Sequence, residues 1–190
     1  KGCVGDTVIP ATFKITPQLS YPALAAVCQN VATPTISVAT ATVLNGVTGT
    51  GFYKGPGTDN AGMFNPSVAG AGTHTIWYTF TSAGGCVDSI SQTIQVDPKP
   101  NANFTFSTGC LPVTGLVQFT NASTVPGGGT MTYVWDFADP NAGGGNPNTS
   151  TAQDPTHIYK EGTYNVKLTV TSDKGCVGDT VIPATFKITP

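Results

Sequence analysis

The chain has 190 residues, a formal net charge of −2 and only 9% charged residues, and it contains 23 glycines and 15 prolines. It offers no basic field for nucleic acid or an anionic membrane surface, and no apolar run approaches the ~20 residues of a membrane-spanning helix. We therefore expect no nucleic-acid partner and no membrane insertion of this segment. The abundance of Thr, Val, Gly, Pro and Asn favours short strands and turns over helices.

The first seventeen residues of the chain recur as its last seventeen. Residues 1–17 and 174–190 both read KGCVGDTVIPATFKITP. The offset, 174 − 1 = 173, predicts a tandem repeat of about 173 residues. A duplication introduced by cloning is the alternative. On the repeat hypothesis, residues 1–17 are the last strand of a preceding copy, either continued in one covalent chain or exchanged between subunits as a donor strand.

Two alternating strands are predicted near the end of the first half. Ile76, Tyr78 and Phe80 are separated by polar residues and by Trp77, and a glycine turn at 83–86 leads to a second alternating strand. Period-two alternation bounded by glycine turns is typical of half-buried antiparallel strands.

The second half of the chain has the same layout. Its alternating apolar positions are Tyr164, Val166, Leu168, Val170, Ile182, Ala184, Phe186 and Ile188. Each half begins with a cysteine before a strand and ends with a Gly-Cys turn between two long strands. We therefore predict an all-β fold, with two tandem antiparallel β-sandwiches per repeat. Their domains are residues 18–97 and 98–190, and residues 1–17 are the last strand of the preceding repeat's second domain.

The five cysteines reduce to four per repeat, because Cys3 occupies the same repeat position as Cys176. Four cysteines allow three connectivities. The shared layout favours the pairs Cys28–Cys86 and Cys110–Cys176, with Cys3 bonded to the preceding repeat. Each bond would close a loop of ~60 residues and stabilise the fold by ~4 kcal/mol. A metal site would need closer spacing, so we predict disulfides and an oxidising compartment.

Three motifs in the second half carry a family resemblance. They are YVWDF at 133–137, DPTHIY at 154–159 and GTYNVKLTV at 162–170. With them, residues 98–190 resemble the polycystic kidney disease (PKD) domain, which implies an immunoglobulin-like β-sandwich. The chain departs from the family pattern at 138–140, where Ala-Asp-Pro and a glycine- and asparagine-rich loop replace a tight Gly-Asp-Gly turn.

Four segments of the first half carry a second resemblance: VCQN at 27–30, MFNP at 63–66, AGAGTHTI at 69–76 and GGC at 84–86. With them, residues 18–97 resemble the immunoglobulin-like repeats of giant surface proteins of Bacteroidota, and both halves together imply two tandem immunoglobulin-like β-sandwiches per repeat. Alternation of these two module types is typical of secreted adhesins or large structural surface proteins. The resemblance therefore implies an extracellular location at a bacterial cell surface.

Little in the sequence points to catalysis or metal binding. The two histidines, His74 and His157, belong to no nucleophile elbow, catalytic triad or zinc motif, so we expect a strand-face position for His74, a local hydrogen bond for His157, and neither enzymatic activity nor a cofactor. Asp136, Asp139 and Asn141 could supply only some of the six to eight oxygens that Ca²⁺ takes. A solvated loop without a metal is the favoured interpretation.

Two kinds of surface contact are conceivable from the sequence. Trp135 is predicted in the core, as is usual for that strand of immunoglobulin-like folds, whereas Trp77 is the candidate for an exposed aromatic contact with a sugar, a domain or a fibre. The D-[S/T]-aliphatic pattern, which resembles a Bacteroidota O-glycosylation acceptor, occurs at Thr7, Ser89 and Thr180.

These observations predict a non-catalytic tandem-repeat surface protein that forms an extended, disulfide-stapled stalk or filament. Its partners are neighbouring repeats, and surface glycans or like filaments are also compatible. Two alternatives remain open: an accessory carbohydrate-binding module of a secreted hydrolase, and a donor-strand-assembled fibre subunit.

Overall fold

The computed structural model describes residues 13–29 and 35–189. In the first half its elements are β1 (Leu19–Ser20), β2 (Val27–Cys28), β3 (Ile36–Ser37), β4 (Thr42–Val43), β5 (Gly49–Lys54), β6 (Met63–Phe64), α1 (Pro66–Ala69), β7 (Gly72–Ser82) and β8 (Val87–Asp97). In the second half they are β9 (Phe104–Phe106), β10 (Cys110–Leu111), β11 (Leu116–Asn121), β12 (Met131–Asp136), β13 (Thr149–Ser150), β14 (Thr156–Ile158), β15 (Gly162–Ser172) and β16 (Val177–Ile188). The predicted all-β fold is confirmed.

The chain forms two compact units. Within the described residues, unit 1 comprises 13–25, 35–65 and 74–94, and unit 2 comprises 26–29, 66–73 and 95–189. Unit 2 therefore includes three short segments that precede residue 98. The predicted domain boundary at residue 97 stays a prediction.

Unit 2 contains a five-stranded sheet of order β10-β16-β15-β12-β13 and a three-stranded sheet of order β14-β11-β9. The long β15–β16 hairpin pairs antiparallel from Gly162 with Phe186 to Thr171 with Val177. Its alternation places every second residue of β15, from Tyr164 to Val170, in the core, as predicted. The core residues are Phe104, Leu111, Val117, Phe119, Trp135, Phe137, Tyr159, Tyr164, Val166, Leu168, Val170, Ala184 and Phe186.

Trp135 is at the centre of this core and is fully buried, which confirms its predicted position. Its ring lies 5.0 Å from that of Phe104 and 5.5 Å from that of Phe119, measured between centroids. Its indole Nε1 donates a hydrogen bond to the carbonyl of Ala152 at 2.9 Å, so the polar end of the side chain is satisfied. Burial of such a side chain with its hydrogen bond intact is among the larger single contributions to the stability of a domain.

In unit 1, β5 pairs antiparallel with β7, and two short pairs, β1–β4 and β3–β6, accompany them. The alternating face of β7 buries Ile76 and Phe80, whereas Trp77 points to the other face and is exposed. His74 lies in β7, at the predicted strand-face position. The large buried side chains of this unit are Tyr21, Val38, Tyr53, Phe64, Ile76, Phe80 and Ile94.

Part of the repeat lies outside the described residues. The predicted strand at 1–17 falls on residues 1–12, including Cys3 and Thr7, for which no structure is described, and residues 13–17 form no strand. The matching segment at the other end forms β16, which is the last strand of unit 2. Among the described residues, no helix has the length and apolarity needed to cross a membrane.

A test of the packing in unit 2 is available at Gly115. Its φ is +70°, a left-handed conformation that favours glycine, and an added Cβ would collide with the carbonyl oxygen of Tyr159. We expect Gly115→Ala to lower the free energy of unfolding by about 1–3 kcal/mol. The control is Gly144→Ala, where an added Cβ meets nothing within 4 Å. Equal midpoints of chemical denaturation for the two variants would contradict the expectation.

Candidate functional site

A disulfide bond joins Cys28 to Cys176 within unit 2. The predicted pairs Cys28–Cys86 and Cys110–Cys176 are therefore wrong. The reason is visible in β16: Cys176 precedes the start of this strand, whereas Cys110 pairs with Lys187, eleven residues further along (187 − 176 = 11). At about 3.3 Å per residue the two positions are roughly 36 Å apart, and a disulfide needs Cα atoms within about 7 Å.

The same separation applies to the other predicted pair. Cys28 lies opposite Asp97 at the end of β8, and Cys86 precedes the start of β8, eleven residues earlier (97 − 86 = 11). In the described part of the chain, Cys86 and Cys110 belong to no disulfide; the former is half-buried and the latter exposed.

An exposed aromatic face lies on β5 and β7 of unit 1. Trp77 is 48% exposed and Phe52 is 44% exposed. Lys54 lies directly opposite Trp77 across the strand pair. Together with neighbouring residues they line an open hollow of about 550 Å³. Its lining residues are Phe52, Lys54, Gly55, Pro56, Thr75, Trp77 and Thr79.

This face combines two aromatic rings with one ammonium group and threonine hydroxyls. An aromatic ring can stack on an apolar surface, and the polar groups can donate hydrogen bonds at its edge. The sequence reasoning singled out Trp77 but missed Phe52 and Lys54. Alternation in the GTGFYK segment of β5, read together with its pairing to β7, is the signal that would have found them.

A buried hydrogen-bonded pair of side chains lies in unit 2, between the loop after β12 and strand β14. The Nε2 atom of His157 lies 3.1 Å from the Oδ2 atom of Asp139. Both side chains are almost fully buried, and the His157 ring stacks on Phe137 at 4.3 Å. The local hydrogen bond predicted for His157 is confirmed, whereas the solvated position predicted for Asp139 is wrong. The loop folds inward because Asp139 finds a buried partner there.

The Asp139 carboxylate accepts further hydrogen bonds. Its Oδ1 atom accepts from the backbone N–H of Asn141 at 2.8 Å and from the Asn141 side-chain amide at 3.2 Å. Burial acts to raise the pKa of Asp139, but the hydrogen bonds from Asn141 and His157 outweigh it and hold the pKa below its ordinary value of 3.8. The carboxylate is therefore a structural anion of the loop.

The three residues considered as calcium ligands take part in hydrogen bonds of the loop. Asn141 uses its backbone N–H and its amide to bind Asp139, and the exposed Asp136 accepts hydrogen bonds from the Ala138 N–H and the Asn148 amide. Within residues 13–29 and 35–189, no group of three or more His, Cys, Asp or Glu side chains is placed to hold a metal ion.

The candidate glycosylation residues have different surroundings. Ser89 is exposed on β8, and Thr180 is half-buried on β16. Nothing in these positions tests glycosylation, so the modification stays a prediction.

Part of the chain is similar to known proteins. Residues 97–188 match the family model of the PKD domain, which confirms the resemblance of the second half. The Pre-pro-metalloprotease PrtV of Vibrio cholerae serotype O1 is 46% identical over 67 residues, which are 34% of this chain and 6% of that protein. The match therefore spans only a small fraction of the curated relative.

Two solved structures are also similar to part of the chain. The PKD1 domain of Vibrio anguillarum Epp is 29% identical and covers 49% of this chain and 99% of its own, with a TM-score of 0.40. A structure of carbohydrate-binding modules from the β-sandwich superfamily is 34% identical over 47% of this chain and 35% of its own, with a TM-score of 0.39. PKD domains occur in extracellular and secreted proteins, where they are typically non-catalytic accessory domains. The bacterial group and the giant repeat architecture stay predictions.

Proposed function

We propose that this chain is a structural segment of an extracellular, tandem-repeat protein of the bacterial cell surface, in which copies of about 173 residues act as a spacer. The observation that carries the proposal is the identity of residues 1–17 with residues 174–190. Each copy supplies β-sheet units with cores of buried apolar side chains, and unit 2 contains a PKD match. The Cys28–Cys176 disulfide suits an oxidising compartment.

The spacer proposal is tested by the size of chains with different numbers of copies. Polypeptides of one, two and three copies should show a maximum dimension, measured by small-angle X-ray scattering, that increases by a constant amount per copy. A maximum dimension that grows only as the cube root of chain length would mean that the copies collapse onto each other, and it would overturn the proposal. Mass spectrometry of the natural protein would show how many copies it contains.

A second candidate function, carbohydrate binding, is favoured by the exposed aromatic face of unit 1. We expect a polysaccharide ligand to stack on Trp77, so Trp77→Ala should weaken binding at least tenfold, whereas Trp77→Phe, which keeps a ring, should lose less. Affinity electrophoresis through gels containing soluble polysaccharides, followed by a glycan array, measures this. The matched control is Val134→Ala, which removes an exposed apolar side chain of unit 2. Binding to no glycan, or equal binding by all variants, would exclude this function.

A further inference from the structure

Among the cysteines that the structure describes, the two without a disulfide, Cys86 and Cys110, are the structural equivalents of the two that are bonded. Cys86 and Cys176 follow equivalent hairpin turns, ninety residues apart (176 − 86 = 90). In one turn the N–H of Ser82 donates to the carbonyl of Cys86 at 2.8 Å, and in the other the N–H of Ser172 donates to the carbonyl of Cys176 at 2.9 Å. Each serine hydroxyl oxygen also accepts a hydrogen bond from the cysteine N–H, at 2.9 and 3.2 Å respectively.

Cys28 and Cys110 are equivalent in the same way. Each lies on a two-residue strand that pairs in parallel with the end of a long strand, Cys28 opposite Asp97 and Cys110 opposite Lys187. The two partners are again ninety residues apart (187 − 97 = 90). Each half therefore has one cysteine on a short strand beside the end of its last long strand, and one cysteine at the turn that precedes this long strand.

The bond in unit 2 joins one cysteine of each kind, from different halves of the chain. Cys28, from the first half, reaches the turn that holds Cys176, and the Sγ atom of Cys176 lies 3.8 Å from the carbonyl oxygen of Asp97. The turn of the second half thus lies at the end of the last strand of the first half. The bond therefore links the cysteine beside the end of β8, the last strand of the first half, to the cysteine at the turn between β15 and β16 in the second half.

In unit 1, the Cys86 turn lies next to the segment that contains Lys14. Lys14 lies beside the Cys86 turn, because an added Cβ on Gly85 would be 3.8 Å from the Lys14 Nζ atom. Lys14 is the repeat counterpart of Lys187 (187 − 173 = 14), which is the residue opposite Cys110. On the repeat hypothesis, the strand end that pairs with Cys110 in one copy is therefore the segment that lies at the Cys86 turn of the next copy.

The hollows beside the two turns support this correspondence. In unit 1 the hollow is lined by residues 13–15, the loop 45–48 and the turn 82–84. In unit 2 the hollow is lined by residues 97–98, the loop 125–129 and the turn 172–174. The backbone contacts of the loops also agree: the N–H of Ala83 donates to the carbonyl of Thr48, and that of Asp173 donates to the carbonyl of Thr130.

We infer that Cys110 of one copy forms a disulfide with Cys86 of the following copy. Its formation removes two protons and two electrons from the two thiols, and a disulfide-bearing oxidant, such as a thiol–disulfide oxidoreductase, accepts them and is reduced to two thiols. By the same rule Cys3, the counterpart of Cys176, bonds Cys28 of the preceding copy. The inference rests on the proposed tandem array, in which one disulfide of this kind would join each copy to the next.

The test uses a chain of two copies, residues 1–190 followed directly by residues 18–190, with Cys3→Ser. In the test variant, Cys86→Ser in the first copy and Cys110→Ser in the second leave six cysteines. We expect three disulfides and no free thiol. The control variant carries the opposite changes, Cys110→Ser in the first copy and Cys86→Ser in the second. It also has six cysteines, but we expect two disulfides and two free thiols.

Free thiols are titrated under denaturing conditions after oxidative refolding, and the bonds are assigned by peptide mapping without reduction. The inference is supported if the test variant has no free thiol and yields a peptide that joins Cys110 of the first copy to Cys86 of the second. Two or more free thiols in the test variant would overturn it, and so would full pairing in the control, because the bonding would then be indiscriminate. The small-angle scattering series distinguishes this inference from the spacer proposal. If the disulfide between copies does not form, the maximum dimension can still increase by a constant amount per copy.

Discussion

Removal of the disulfide by Cys28→Ala and Cys176→Ala is expected to lower the free energy of unfolding of unit 2 by about 5 kcal/mol. The bond joins residues separated by 148 positions, and in the chain-entropy model a loop of that length restricts the unfolded chain by roughly this amount. Such a loss is a large part of the total stability of a domain. The variant should therefore unfold at a much lower denaturant concentration.

Unit 2 can be observed separately because each unit contains one tryptophan. Trp77→Phe leaves Trp135, in the core of unit 2, as the only indole, and its fluorescence follows guanidinium unfolding. The matched control, Cys86→Ala with Cys110→Ala, removes two unbonded thiols and should change the free energy by no more than about 1 kcal/mol. Coinciding unfolding curves for the two double variants would show that the Cys28–Cys176 bond does not stabilise unit 2.

The second large effect is expected at Asp139. Asp139→Ala leaves buried His157 and the Asn141 donors without their acceptor, and such a loss costs about 3–5 kcal/mol. The control is Asp179→Ala, which removes an exposed partner of Lys167 at 3.2 Å and should cost less than about 1 kcal/mol. Trp135 fluorescence reports both variants, and equal losses would show that burial of the pair has no energetic consequence.

The Asp139 contribution also depends on pH, with a definite sign. Its pKa is depressed in the folded protein, so the native state binds fewer protons than the unfolded state at acidic pH. The contribution is present above the unfolded-state pKa of about 4 and is lost as the pH falls through the lower folded-state value. Denaturation midpoints measured from pH 6 to pH 2 should fall more steeply for the wild type than for Asp139→Ala. Parallel curves would contradict this assignment.

Local patterns in the sequence were sufficient to predict the four long strands, β7, β8, β15 and β16. Alternation in 162–170 and 177–188 reports which side chains share a face, and the structure buries Tyr164, Val166 and Leu168 together as expected. The same reasoning identified Trp135 as core and Trp77 as exposed. Period two is a property of a single strand, so it is readable without knowing what the strand packs against.

Long-range relations were less accessible. The layout correctly made Cys28 equivalent to Cys110 and Cys86 equivalent to Cys176, yet it gave the wrong bonds because pairing depends on which strand end meets which turn. Asp139 was misplaced for a similar reason: the glycine- and asparagine-rich sequence after it is typical of a solvated loop, and only the fold brings His157 within reach. Phe52 was missed because the exposed face of β5 is defined by its pairing with β7.

The Cys28–Cys176 bond also determines how tension would pass along the chain. A pull applied at the two ends would cross from Cys28 to Cys176 through the sulfur atoms and continue directly into β16. The intervening residues 29–175, 147 in number (175 − 29 + 1 = 147), could not be drawn out to their full length while the bond is intact. At ~3.4 Å per extended residue they represent about 500 Å of contour length. This length becomes available for extension only after the bond is reduced.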